Sequence, residues 1–532
     1  MLITKRYHMH PATRFTSSFG MLTGIPRLAL GVFLGLTPSC ALDDGSAADP
    51  SASDGTAADD SGDVSSEPVC SGGRIVCHAH ARTFGAERSR SPRAAPRAAR
   101  PSGVGPADLQ SAYGIDPTRV ATTARPTVAI TDAYGYPNLE ADLAMYRQTY
   151  GLPACTVANK CLQIMNQRGE TAAASLPPLP PAGDDWTIET ALDVDMVSAA
   201  CPQCNILVVQ ADDDQGNGLE ISQNTAAAHG ATVISDSWGS VEVSSDVQKE
   251  TAFYKHPGIA IFVASGDSGF EETIQPPPPA PAKLVTGPGY PATSQYTIAV
   301  GGTHLTRAPG TARGWTETAW AVVTSPTTGK VDLTRGAGGS GCSRVIPKPA
   351  YQTASPCGFK ASADIAAVGD PATGMAVYNS NGGIQGNWGI IGGTSAAAPF
   401  VAAIFAATGN GSQTSGKFVA DNASKMFDIT SGNNGTCPTG QGLLCTATTG
   451  WDGPTGFGTP NVKLLMSAGT GPGGGNGTGG GNGTGGGNGA SNGSGSGSDS
   501  GDITGGCSAG GGAGLLLGLA LLGLRRRSAP AP

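Results

Sequence analysis

Gly392-Gly393-Thr394-Ser395-Ala396-Ala397-Ala398-Pro399 follows the apolar Gly389-Ile390-Ile391 and runs into Phe400-Val401-Ala402-Ala403-Ile404-Phe405-Ala406-Ala407. Paired glycines let a backbone turn sharply. The serine then stands at the mouth of an Ala-rich helix, whose first amides lack partners and favour negative charge nearby. Two readings fit the local pattern. Ser395 caps a buried helix, or it is a nucleophile beside a ready anion site.

The alternation of apolar run, turn and helix recurs upstream. Thr127–Thr131, Ile206–Val209, Thr232–Ser235, Ile259–Ala264 and Thr297–Val300 read as buried strands. Helical spacing covers Ala107–Tyr113, Leu139–Tyr150, Trp186–Ala200 and Leu219–His229, with Asp184 or Asp185 as a candidate cap for the third. Strands alternating with helices predict an α/β fold, a doubly wound and mainly parallel sheet with helices on both faces. Sites in such sheets lie beyond the carboxyl ends of the strands. Asp132, Trp238 and Asp267 each follow a strand end. The Pro-rich stretch 275–282, inside the loop Glu271–Gly289, leaves little room for regular structure.

The chain has 532 residues, enough for one large domain with tails. A net charge of −8 argues against a nucleic-acid partner bound through its phosphates. Ten of the twelve cysteines fall into close pairs: Cys70/Cys77, Cys155/Cys161, Cys201/Cys204, Cys342/Cys357 and Cys437/Cys445. Such pairs suit disulfides in an oxidising compartment. Cys201-Pro-Gln-Cys204 has the spacing of a redox or half-zinc motif as well, but no second such pair or nearby histidine accompanies it. Cys40 and Cys507 are left over.

Basic residues before the short apolar run Leu28–Leu36 predict a secretory signal over 1–41. Residues 42–103 are expected to be a mostly disordered connector, because Ala, Ser, Asp, Gly and Arg predominate there. The folded domain is expected over 104–465. A Gly-rich linker follows over 466–506, and 507–532 hold Cys507, a short apolar run and Arg525-Arg526-Arg527.

Glu189 and Asp193 lie four residues apart, which puts both carboxyls on one helix face about 5–6 Å apart at Cβ. Carboxyls so close resist joint ionisation and share a proton. The pair then serves as a general base in acid, where histidine is protonated. A solvated acidic face is the plain alternative, and Asp195, pointing elsewhere, keeps it. Asp267, in Ser265-Gly266-Asp267-Ser268-Gly269, caps a turn or, when protonated, donates a hydrogen bond to an oxyanion.

Taken together, the Glu-x-x-x-Asp helix, Ser-Gly-Asp-Ser-Gly after a strand and Gly-Thr-Ser-Ala-x-x-Pro before a helix resemble the sedolisins, the serine-carboxyl peptidases. The resemblance spans roughly residues 104–465. It implies a subtilisin-like fold and hydrolysis of peptide bonds at acid pH in protein or peptide substrates. It further implies Ser395 as nucleophile, Glu189 as base, Asp193 as the group that orients Glu189, and Asp267 as oxyanion donor. Trp238 matches the family's tryptophan near the active site, implying substrate contact, and core packing explains it equally well. One structural calcium ion is implied too, held by the carboxylates of Asp428 and Asp452 and the carbonyls of Ile429, Thr448 and Gly450, all hard oxygen donors. The chain departs from the family in having only about 65 residues between the signal and Pro106 where a long pro-domain is usual.

The tail resembles the MYXO-CTERM surface-sorting type, which implies a secreted or envelope-displayed protein that meets the membrane only through its terminal segment. A monomer is expected. Two other functions share some of these residues. A neutral subtilisin-type peptidase would use Asp132, His229 and Ser395, and a surface pseudoenzyme or adhesin would keep the fold for binding alone.

Overall fold

Val, Ile and Ala fill the strands Thr127–Ala133, Asn205–Ala211, Val233–Asp236 and Ala260–Ala264, and nearly every residue in them is buried. Strands buried on both faces are what a covered parallel sheet requires. The computed structural model describes residues 65–467, apart from 71–72, 84–100, 122–123, 275–282, 287, 322, 325–330, 333–335, 383 and 385–386. The expected signal, Gly-rich linker and sorting tail lie outside the described residues, as do Cys40 and Cys507.

The central sheet has eight strands. Its order is Trp315–Ala319, Ile298–Arg307, Ala260–Ala264, Val233–Asp236, Thr127–Ala133, Asn205–Ala211 and Leu162–Asn166, with Ile365–Val368 also paired to Ile298–Arg307. Every pairing is parallel except that of Ile298–Arg307 with Trp315–Ala319. The register sets Val128 between Val233 and Ile206, and Ile234 opposite Ile261. Helices lie on both faces, so the expected fold class holds.

Two helices meet over the middle of this sheet. Trp186–Ala200 is buried along its whole length, and so is Thr394–Ala407. They pack on each other, and Thr394–Ala407 also lies on Val233–Asp236 and Ala260–Ala264. Alanine makes this possible, because small side chains let the second helix approach its neighbours closely. On the other side, Gly218–Ala228 packs on Thr127–Ala133 and Asn205–Ala211.

Two expectations gain detail. Within the connector 42–103, expected to be mostly disordered, one stretch is ordered. Ser65–Pro68 pairs antiparallel with His80–Thr83, and His80–Thr83 pairs with Trp388–Gly392. This hairpin is short of apolar residues, so composition alone misses it; partners from distant parts of the chain supply its order. In the loop Glu271–Gly289, Glu271–Ile274 pairs with Lys283–Thr286, and the Pro-rich stretch 275–282 lies outside the described residues. All five expected cysteine pairs form disulfides.

The tight contact of the two buried helices gives a direct test. Ala402 is fully buried on the helix Thr394–Ala407. Ala402→Leu is expected to destabilise the domain by about 1–3 kcal/mol through overpacking, read as a lower urea midpoint with an unchanged slope.

Candidate active site

The helix Trp186–Ala200 carries Glu189 and Asp193 inward, and both are wholly buried. This rules out the solvated acidic face. Asp185 stands at the N-cap but makes no capping hydrogen bond with its side chain. Asp195 is buried as well, on another side of the helix, where its Oδ2 accepts the Tyr378 amide at 3.3 Å.

Ser395 lies in the first turn of Thr394–Ala407, with Gly393 at the N-cap. Gly393 has φ 104°, a conformation that favours glycine. Space demands glycine here too. A methyl on it would overlap the His78 carbonyl oxygen and come within 2.7 Å of Asp267 Oδ2. Pro399 sits inside the helix and has no amide hydrogen, so the Ser395 carbonyl loses its usual helical donor. The Ser237 hydroxyl lies 3.3 Å from that carbonyl and 2.8 Å from Asp193 Oδ1. Ser237 therefore links the backbone of the serine to the second carboxyl of the pair.

The Ser395 hydroxyl donates to the Ser237 carbonyl at 3.1 Å. It also lies near enough to Glu189 to favour that group's ionised form, as does Asp193. Neither Glu189 oxygen has a hydrogen-bond partner of full geometry. The arrangement is a serine poised between two acceptors, the Ser237 carbonyl and the Glu189 carboxyl.

Burial pushes Glu189 and Asp193 well above the usual carboxylate range, and neighbouring carboxyls push them further. For both groups the leading neighbour is Asp132. It is fully buried at the end of Thr127–Ala133, with no hydrogen-bond partner of good geometry on either oxygen. Burial raises its own pKa to about 7. Asp236 is raised to about 7 mainly by burial as well. The site is a cluster of mutually repelling acids.

Asp267 approaches from the turn after Ala260–Ala264. Its Oδ1 accepts both the Thr394 amide and the Thr394 hydroxyl at 2.8 Å, so it caps the serine helix. Its Oδ2 makes no hydrogen bond and lies 3.7 Å from His80 Nε2. Burial raises this carboxyl to about 7 despite the two Thr394 donors. A protonated acid with one oxygen tied to a cap has its other oxygen free to carry a donor hydrogen.

Other expected residues fall differently. His229 is exposed at the C-cap of Gly218–Ala228, with its ring against Gly169. It is not part of this cluster, and the Asp132, His229, Ser395 triad does not assemble. Trp238 is fully buried, and its indole donates to the Thr131 carbonyl at 2.8 Å. Of its two readings, core packing fits.

Two histidines unforeseen in the sequence border the site, His78 through its backbone at Ser395 and His80 through its ring at Asp267. His78 donates its amide to the Ser237 carbonyl at 3.0 Å and accepts the Ser395 amide on its carbonyl at 3.0 Å. Burial lowers the pKa of both His78 and His80 to about 4.

Asp428 and Asp452 converge on one loop. Asp428 Oδ2 accepts the Gly450 amide at 3.0 Å, and Asp452 Oδ2 accepts the Thr448 amide at 2.9 Å. Ile429 packs with Ala447 beside them. Asp452 is buried and raised to about 7, mainly by burial, with the charge of Asp428 adding to the shift. Two neighbouring carboxyls are hard oxygen donors, chemically matched to calcium.

The acid cluster fixes how stability responds to pH. Asp132, Asp236 and Asp267 have folded pKa values near 7 against 3.8 unfolded, so the folded state holds more protons between these values. Their contribution is complete below about 4 and is lost as pH rises through about 7. His78 and His80, lowered to about 4 from 6.5, oppose this as pH falls between those values. The carboxyls outnumber them. Melting temperature is therefore expected to fall as pH rises from about 5 to above about 7, and a rise would contradict the burial described here.

Residues 183–421 match the Peptidase_S8 family, described as the subtilase family. The chain is 30% identical over 356 residues to kumamolisin of Bacillus sp. (strain MN-32), covering 62% of this chain and 57% of that protein. It is 26% identical over 383 residues to sedolisin of Pseudomonas sp. (strain 101), covering 69% and 61%. The chain thus spans about three fifths of the length of these relatives. Among solved structures, Pseudomonas sedolisin, a serine-carboxyl proteinase complexed with pseudo-iodotyrostatin, aligns with a TM-score of 0.54 at 23% identity. That alignment covers 70% of this chain and 98% of the other, and the two share a subtilisin-like α/β fold.

Proposed function

We propose that the chain is a serine-carboxyl peptidase that hydrolyses peptide bonds at acid pH. The observation that carries this is the convergence of Ser395, Glu189, Asp193 and Asp267, drawn from three separate elements into one buried cluster. The likeness to kumamolisin and sedolisin supports the same reading.

In this mechanism the Ser395 hydroxyl attacks the substrate carbonyl and Glu189 takes its proton. Asp193 holds the second position of a pair that shares one proton, so a single negative charge spreads over both carboxyls. Ser237 fixes Asp193 from the other side. The Ser395 amide and protonated Asp267 donate to the oxyanion. No imidazole takes part. The reaction needs the pair singly ionised and Asp267 still protonated, two demands met together only below neutrality.

Digestion of a peptide library over a range of pH tests this. Hydrolysis is expected in acid, with a descending limb near 7 as Asp267 loses its proton. Ser395→Ala is expected to abolish turnover. Asp267→Asn is expected to slow turnover by about 10²–10³-fold and to remove the descending limb, because an amide donates at every pH. Activity that climbs through neutrality would contradict the assignment.

We also assign calcium to the loop at Asp428 and Asp452, with carbonyl oxygens of Ile429, Thr448 and Gly450 completing the set. Bound there, the ion would supply positive charge to neutralise two carboxyls. Asp428 already ties Phe427–Ile429 to the loop 448–452 by accepting the Gly450 amide, and Asp452 braces that loop by accepting the Thr448 amide. Chelation is expected to lower the melting temperature, since a ligand of the native state is withdrawn. An unchanged melting curve, or one equally restored by magnesium, would count against a calcium site.

A further inference from the structure

We infer that residues 74–83 lie in the cleft as the chain's own substrate, and that the peptide bond between His78 and Ala79 is the one Ser395 cuts. This rests on the peptidase reading and adds to it a substrate and a cleavage site.

The backbone of this segment is held on both sides of the serine. Before the bond, Val76–Cys77 pairs antiparallel with Trp238–Gly239. Ile75 donates its amide to the Asp214 carbonyl at 3.1 Å, and the Arg74 guanidinium donates to the carbonyls of Gln215 and Gly216. After the bond, His80–Ala81 pairs with Ile391–Gly392, the two residues that lead into the Gly393 turn. An extended peptide bound through its main chain by strand addition is a general mode of peptide recognition.

Between these two ladders the chain presents one carbonyl to the nucleophile. The His78 oxygen accepts the amide of Ser395 itself, at 3.0 Å. It shares the face of Gly393 with Asp267 Oδ2, the oxygen left without a hydrogen bond. A strand kept only for structure has no need to set a carbonyl on the nucleophile's amide, beside the one free oxygen of the oxyanion donor. The segment is also braced. Cys70 and Cys77 are bridged, and Ser65–Pro68 pairs with His80–Thr83.

In the cut, Ser395 Oγ bonds to the His78 carbonyl carbon and passes its proton to Glu189. The bond to the Ala79 nitrogen breaks, and that nitrogen takes the proton. Water then hydrolyses the ester, leaving the His78 carboxylate, the Ala79 amine and a restored serine. Glu189 lies within 4.8 Å of the bridged Cys70 and Cys77 sulfurs and burial favours its protonated form, so its ionised form is scarce and the first cut is slow.

The test uses the full chain and its Ser395→Ala variant, incubated in mildly acid buffer. Samples are denatured and reduced before mass measurement and N-terminal sequencing, because the hairpin could hold nicked pieces together. A fluorogenic peptide reports activity in parallel. We expect wild type to lose everything up to His78 and gain an N-terminus at Ala79, with peptide turnover rising after a lag that follows this conversion. The rate constant should not depend on protein concentration. Ser395→Ala should stay joined at this bond. Ala81→Pro, which removes a ladder hydrogen bond, should shorten the lag. Peptide turnover with the bond between His78 and Ala79 still whole would overturn the inference and leave the peptidase reading standing. If neither wild type nor folded Ala81→Pro hydrolyses any peptide, the peptidase reading falls and the inference falls with it.

Discussion

The helix Trp186–Ala200 has no face left to solvent, and it carries Glu189, Asp193 and Asp195 into that burial. An ionised carboxylate loses much of its hydration in such a place, so the proton is retained. The charges that act on Glu189 and Asp193 are largely those of other acids, Asp132 first. Water exclusion and crowding thus set the protonation of the cluster. Groups that are ordinarily anions at neutral pH keep their protons here, Asp267 among them with a pKa raised to about 7.

The same constraint shapes the fold around the cluster. Both helices need small side chains to lie this close, which the Ala-rich sequence 394–407 supplies. Pro399 breaks one helical hydrogen bond and so frees the Ser395 carbonyl for Ser237, which in turn holds Asp193. A single imino acid thereby couples helix geometry to the orientation of a carboxyl on another helix. Gly393 answers a different need, since any side chain there would fill the space where the His78 carbonyl and Asp267 meet.

Much of this was legible in the residues. The i,i+4 spacing of Glu189 and Asp193 required them to share a face, and the settings of Asp132 and Asp267 just after strand ends pointed to the carboxyl end of a parallel sheet. What could not be read was whatever depends on strand order. Asp132 meets the carboxyl pair only because Thr127–Ala133 lies in the middle of the sheet beneath their helix. Asp195 looked solvated because its neighbour, the Tyr378 amide, comes from 183 residues away. The hairpin 65–83 was hidden for a related reason. Its own sequence has the composition of a connector, and its pairing partners, Trp238–Gly239 and Trp388–Gly392, are known only once the chain is folded.

The five disulfides join cysteines between 3 and 15 positions apart. Each ring can therefore close within its own stretch of chain as that stretch emerges, without waiting for the sheet to assemble. Neighbouring rings do not interlock, so the order in which they close is immaterial. Oxidative maturation of this protein then demands an oxidant but little reshuffling, and a mispaired intermediate would have to bridge cysteines that are far apart along the polypeptide.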